Sequence, residues 1–440
     1  MHPIPNRVLL SKRKLINTLF LLSFPFYGIG MYLGIKASAS FGTLFAVAPF
    51  ILILLVHGLD LVYRRQVRNM VTGAYWVGLL FLLTLVWSFW KAQSEGFPSL
   101  QTGNTFAFTI MFLVPFHAAI VVHIRNRDQP DFDFSLLLLK SLSILVFVNI
   151  LGYAAGLQNV VHRIEGRINL PFLLGIYDAA HLLAIINLML LFYMKDFARK
   201  PYRFMLLFGF YMVNMAIMIS VNSRLSFMTF LLLTGLFFFK SIGKARLVFP
   251  ISLFVMPLLV NFALFIYWVL TLPFMTAIVS RVDKADVTTF NNRTTVWDVG
   301  WAWLENDRSG LLLGHGYQGQ YKLDGWDHIA EVFNTRNATN VHMHSTFMQT
   351  LIGQGIVGYG LFLVVMWQLV RYFRSSYLEG RQEAPLFAMV VYLLFILQID
   401  IVCYGNDFGN ALTFCLFAMV VMDPKYISRK PRALDGTIME

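Results

Sequence analysis

Two histidines, two arginines and two glycines carry most of the chemistry this sequence offers. His342-Met343-His344-Ser345 stands at the mouth of an apolar run, and Gly355 and Gly358 follow inside that run. Ser345 has the side chain of an N-cap, so a helix is expected to start there with His344 just outside it. The positive end of that helix disfavours imidazolium. A neutral imidazole can act as a general base at neutral pH. An interfacial histidine that only anchors the helix is the plainer alternative. Eleven helical residues complete three turns plus about 20°, which places Gly355 on the His344 face about 16 Å deeper. With Gly358 beside it, this spacing predicts a small-residue groove for a neighbouring helix or a lipid chain.

Arg224 lies in Val221-Asn222-Ser223-Arg224-Leu225-Ser226, between two apolar runs with almost no loop. An arginine held at membrane depth is costly unless it finds a partner or reaches the interface. Its guanidinium fork matches phosphate oxygens, so a lipid diphosphate is a fitting partner. Simple snorkelling accounts for it equally well. Arg293 repeats the logic in a long loop. His342, Arg163, Arg167 and Tyr317, the last in the tight turn Gly314-His315-Gly316-Tyr317, complete the candidate substrate-binding set. Solvated loop charge is the plainer account of Arg163 and Arg167. His315, His328, His342 and His344 match no standard metal spacing. Asp60, His117, Lys140, Asp178, His181 and Asp400 fall in or near apolar runs, where ionisable residues mark ion paths. They are scattered along the chain.

The elements that must position these residues are membrane spans. The 440 residues are 58% hydrophobic and only 13% charged, with a mean hydropathy of +0.64. A soluble domain carries roughly 25% charged residues, so the composition predicts an all-α polytopic membrane protein. The two cysteines, Cys403 and Cys415, make neither a disulfide framework nor a zinc site. Twelve runs have spanning length, at about 15–37, 41–63, 71–90, 104–123, 134–155, 171–194, 204–221, 225–239, 247–271, 345–370, 386–404 and 408–422. Twelve spans put both termini on one side. Of the 35 Lys and Arg residues, 23 then fall on the side of the termini and 11 on the other, with Lys140 inside a span. The positive-inside rule orients the chain N-in and C-in. The net charge of +12 is therefore topological, and nucleic acid drops out as a partner. The organisation expected is spans one to nine over 1–271, a large outer loop over 272–344, and spans ten to twelve with a cytoplasmic tail over 345–440. Val296, Trp297, Gly300, Trp301 and Leu304 follow helical spacing in that loop. With Trp303 they predict an interfacial helix lying on the membrane. Arg293 falls in its first turn, after Asn291-Asn292 as possible caps.

These residues resemble the O-antigen ligase and polymerase superfamily. Its ligase signature is a histidine, then Asn, Ser or Gln, nine residues, Gly-x-x-Gly, and Gly, Thr or Tyr. The chain reads His344-Ser345, nine residues, Gly355-Ile356-Val357-Gly358-Tyr359. The family is similar in its roughly twelve spans and in its largest periplasmic loop between spans nine and ten. It also has a Ser-Arg turn, here Ser223-Arg224, and a loop arginine ahead of a tryptophan, here Arg293 and Trp297. The resemblance implies a glycosyltransferase of the bacterial inner membrane with its active site facing the periplasm. Its donor would be a glycan on undecaprenyl diphosphate, and its acceptor a sugar hydroxyl of lipid A–core. His344 would take the acceptor proton, and Arg224 and Arg293 would hold the leaving diphosphate. Neither metal nor cofactor is implied, and the anomeric centre would invert. Asn292-Arg293-Thr294-Thr295-Val296-Trp297 looks polymerase-like, which keeps open a repeat-unit polymerase with a chain-length regulator as partner. A lipid-linked glycan transporter is the reading from a different class. It would place its polar site near the midplane on broken helices.

Overall fold

The computed structural model describes residues 6–64, 71–98, 100–127, 129, 131–159, 168–173, 175–258, 293–333, 339, 341–405 and 407–422. Among the described residues the regular elements are helical. They run as α1 (Asn6–Lys36), α2 (Ala39–Arg64), α3 (Ala74–Ser94), α4 (Thr102–Asn126), α5 (Phe134–Ala154), α6 (Ile176–Asp196), α7 (Pro201–Val221) and α8 (Arg224–Phe238). A short mixed helical stretch begins with α9 (Val248–Pro250). Then come α10 (Arg293–Ala302), α11 (Trp326–Val332), α12 (Thr346–Leu378), α13 (Ala384–Ile396) and α14 (Phe408–Val421). Eight of them, α1 to α7 and α12, contain segments long and apolar enough to cross a membrane; α8, α13 and α14 are apolar but shorter. This is the architecture of a polytopic α-helical membrane protein. The predicted run at 247–271 is described only as far as Leu258, and Asn291-Asn292 lie outside the described residues.

Burial separates the helices into a centre and a rim. Helices α13 and α14 are buried almost along their whole length, and most of α6 is buried too. Such helices have no polar face to turn outward, because protein surrounds them. Helix α7 is the opposite case. It buries only Asn214, Met218 and Val221 and leaves Tyr202, Met205, Leu206 and Met212 exposed. An apolar outer face is what lipid requires.

Thirteen residues of α13 rise only about 20 Å, short of a bilayer core. Irregular backbone follows at 397–405. Backbone of this kind survives at depth only where protein satisfies its polar groups. Thr346 does much of this, its N–H donating to the carbonyls of Leu397 (3.0 Å) and Asp400 (3.1 Å). Its hydroxyl donates to the Asp400 carbonyl at 2.9 Å and accepts from the Val402 N–H at 3.1 Å. The connection before α14 is thereby tied to the start of α12.

Described residues between 293 and 343 pack on α12. Val296, Trp303, Leu323, Trp326, Ile329, Val341 and Met343 form a second apolar core with Met348 and Ile352 of α12. The helix expected over 293–304 is present as α10, but Trp297 and Trp303 are only 1% and 3% exposed. Protein covers these two rings. Tryptophan has an apolar body with one N–H, and a buried carbonyl partner satisfies it as well as an interface does.

The groove expected beneath His344 is corrected. Helix α12 is broken at Gly355, whose φ of 69° and ψ of −174° belong to a region open essentially to glycine alone. In a continuous helix the Ile356 and Val357 N–H groups would bond the Ile352 and Gly353 carbonyls. Here they donate to Leu311 (2.8 Å) and Leu312 (3.3 Å) instead. The abandoned carbonyls accept from His315 (2.7 Å) and Gly316 (3.1 Å). The 311–316 loop is thus spliced into two opened helical hydrogen bonds. A Cβ on Gly355 would lie 2.3 Å from the Leu312 oxygen, and one on Gly314 would lie 2.3 Å from the Gly353 carbonyl carbon. Gly358 is helical and packs near Thr84 of α3.

Candidate active site

His344 sits at the junction of these elements. Ser345 caps α12, its side chain accepting from the Met348 N–H at 3.5 Å, so the helix starts at the expected place. His344 itself has a φ of 48°, a left-handed conformation uncommon for a side-chain-bearing residue. Its N–H donates to Nδ1 of His342 at 3.2 Å, and the two rings lie 4.0 Å apart. A ring nitrogen that accepts carries no proton, so a neutral His342 is held with its proton on Nε2. Phe333 stacks on the other side of His344 at 5.8 Å. The His344 Nδ1 is enclosed and has no hydrogen-bond partner among the described residues. Burial holds the imidazole well below the usual histidine range, and His342 and the Arg293 charge push the same way. The ring is therefore neutral at pH 7.

Arg293 opens α10 and is buried. Its guanidinium donates to the Ile399 carbonyl and lies over the Tyr177 ring at 5.9 Å. Four residues on, Trp297 donates from Nε1 to the Met343 carbonyl at 2.7 Å. One helix therefore places the arginine charge near His344 and grips the backbone just before it. Arg293→Ala should lower transfer turnover by about 10²- to 10³-fold, the usual effect of losing a preorganised charge donor. It should also move the acid limb of the rate profile to higher pH, because His344 loses a nearby positive charge. An unmoved limb would show that the two groups do not share a site.

Arg224 is the first residue of α8, directly after the Asn222 turn with its φ of 56°. The near-absence of a loop between α7 and α8 matches expectation. Its side chain, and the whole of Arg163 and Arg167, lie outside the described residues. Tyr317 packs between aromatic rings, 3.9 Å from Phe89 and 5.7 Å from Tyr404, with its N–H donating to the Ser88 carbonyl at 2.8 Å.

Sequence reasoning missed one constellation entirely. His181 and Asp400, 219 positions apart, meet at 3.3 Å and are both buried. With His181 Nε2 donating to Asp400, its Nδ1 has one lone pair, which lies within reach of the hydroxyls of both Tyr392 (2.9 Å) and Ser226 (3.0 Å). The Ser226 hydroxyl in turn meets that of Ser223 at 2.9 Å. Residues read as scattered thus form a polar chain running from the connection that holds Thr346 to the turn that starts at Arg224. The only available signal was ionisable residues in apolar runs, which points to no partner.

The arrangement can take a proton at a neutral, desolvated imidazole beside a fixed guanidinium. No curated protein matches the chain. Residues 207–363, which carry Arg224, Arg293, His344, Gly355 and Gly358, match the family model described as O-antigen ligase, and the resemblance seen in the signature holds over that stretch.

Proposed function

We propose that the protein is a membrane glycosyltransferase of O-antigen ligase type. It would move a glycan from undecaprenyl diphosphate onto a sugar hydroxyl of lipid A–core in the outer leaflet of the inner membrane. The observation that carries this reading is the enclosed His344 ring, its Nδ1 unpartnered among the described residues and Arg293 near enough to depress its pKa, within the family-matched stretch. The acceptor oxygen attacks the anomeric carbon while His344 takes its proton. The bond from that carbon to the diphosphate oxygen breaks, and the negative charge that develops there is met by Arg293 and Arg224. Attack opposite the leaving group inverts the anomeric centre. Two guanidinium groups serve the leaving diphosphate in place of a divalent ion, so transfer should survive EDTA. A strict metal requirement would remove this assignment.

The test is a transfer assay on the purified full-length chain with an undecaprenyl-diphosphate-linked glycan, with and without lipid A–core. Product formed only with lipid A–core supports a ligase. Longer lipid-linked chains without it make the protein a polymerase using the same groups. Donor carried across a proteoliposome bilayer with no product would overturn both in favour of a transporter. The orientation behind this reading, with both termini cytoplasmic and 272–344 periplasmic, is checked by reporter fusions at those positions.

A further inference from the structure

The Val341–His344 segment belongs to no regular element, yet side chains hold much of its backbone. The Met343 carbonyl is taken by Trp297 and the His344 N–H by His342. Two further grips come from a pair of glutamines. The Gln349 Oε1, one turn into α12, accepts from the Met343 N–H at 3.1 Å. Its amide nitrogen donates to Gln320 Oε1 at 2.8 Å, and Gln320 Nε2 donates to the Val341 carbonyl at 2.8 Å. Both glutamines are fully buried. They sit against Val341, Met343, Met348 and Leu323, where apolar side chains would pack at lower desolvation cost. A primary amide can accept through its oxygen and donate onward through its nitrogen, which is how each glutamine is used here. A left-handed φ at His344 is uncommon for a residue with a side chain and persists only where the surroundings over-determine it.

We infer that Gln349 and Gln320 are positioning residues, a relay of two amides that fixes the His342–His344 segment in its working conformation. Gln320 lies in the 3-10 turn Gly319–Lys322, a few residues after the loop spliced into α12 at Gly355. The relay therefore joins the docked loop to His344. The inference rests on the reading of His344 as the base, and its test keeps the two separable.

Diethyl pyrocarbonate acylates only neutral imidazole, so the pH dependence of labelling at His344, read by peptide mass spectrometry, reports that ring directly and needs no turnover. Wild type, Gln349→Met and Gln320→Met are compared as full-length protein in detergent, with Gln368→Met as a control glutamine on the same helix. The titratable groups facing His344 are His342 on its own segment and Arg293 on α10. Both remain in every variant, so a change reports position. The wild-type midpoint should lie below about 6.5, the ordinary histidine value. In both relay variants it should rise toward that value, with faster labelling, and Gln368→Met should match wild type. Transfer turnover should fall about tenfold, the factor that 1.4 kcal/mol represents, with the donor KM little changed. Wild-type midpoints and labelling rates in both relay variants would overturn the inference. Should Gln349→Met not accumulate, Gln320→Met alone decides the point, since it loses both the acceptor for Gln349 and the donor to Val341 without adding a charge. If His344→Asn transfers glycan at the wild-type rate, the base assignment falls while labelling still decides the relay.

Discussion

His344→Asn is expected to cut glycan transfer by about 10²- to 10⁴-fold, the range that a positioned general base contributes. Asparagine is the better replacement here, because it tolerates the left-handed backbone that His344 occupies, whereas alanine adds strain to the loss of the base. The variant should fold and insert like wild type, so the lost rate measures the missing proton acceptor. The pH dependence gives an independent check. The base works unprotonated, so rate is lost as pH falls through its pKa. Burial, His342 and Arg293 all lower that pKa. The acid limb of wild-type kcat/KM should therefore fall below the ordinary histidine range, leaving full activity near pH 6.5. Turnover in His344→Asn equal to wild type would remove the histidine from the chemistry. A wild-type acid limb at or above pH 6.5 would mean that His344 is wetter than its enclosure in the structure implies.

The part of this site legible in the sequence is the part built from local rules. Ser345 caps a helix because a hydroxyl there meets an N–H three residues on, and that geometry needs no tertiary information. The apolar runs became helices because a bilayer leaves a chain few other ways to satisfy its backbone. Spacing found the helix that carries Trp297, and α10 brings that ring to the Met343 carbonyl. What spacing did not reveal was what the helix packs on. The pattern Trp297, Trp301, Trp303 looks the same for a helix on lipid and a helix in a small apolar core. His181 and Asp400 stayed hidden for a related reason. Their pairing depends on how α6 and the 397–405 connection approach, and neither neighbourhood contains a local cue. Gln349 and Gln320 read as ordinary polar residues, and their value comes only from the two backbone groups they bridge.

Gly355 shows the same limit most sharply and yields the second large effect. Gly355→Ala should undock the 311–316 loop and lower transfer at least about tenfold, since its backbone conformation alone costs a side-chain-bearing residue about 1–3 kcal/mol. The added methyl would also lie 2.3 Å from the Leu312 oxygen and 2.5 Å from the Gly314 nitrogen, both backbone atoms with little room to give. Loss of the splice would break four backbone hydrogen bonds. The comparison with Gly358 and Gly360 separates this account from a packing groove. A groove makes Gly355 and Gly358 alike, tolerant of alanine and intolerant of leucine. A splice makes Gly355 intolerant even of alanine. A methyl on Gly358 would lie 2.4 Å from the Gln354 Cβ, which is fixed to the backbone, so Gly360→Ala, which meets nothing within 4 Å, is the clean control. Hydrogen exchange at the His315 and Gly316 amides reads the splice directly. They should be protected in wild type and in Gly360→Ala, and they should exchange freely in Gly355→Ala. Protected amides and full turnover in Gly355→Ala would show that the splice tolerates a side chain, whereas free exchange at both amides in wild type would show that α12 runs unbroken past the histidine, which would restore the groove.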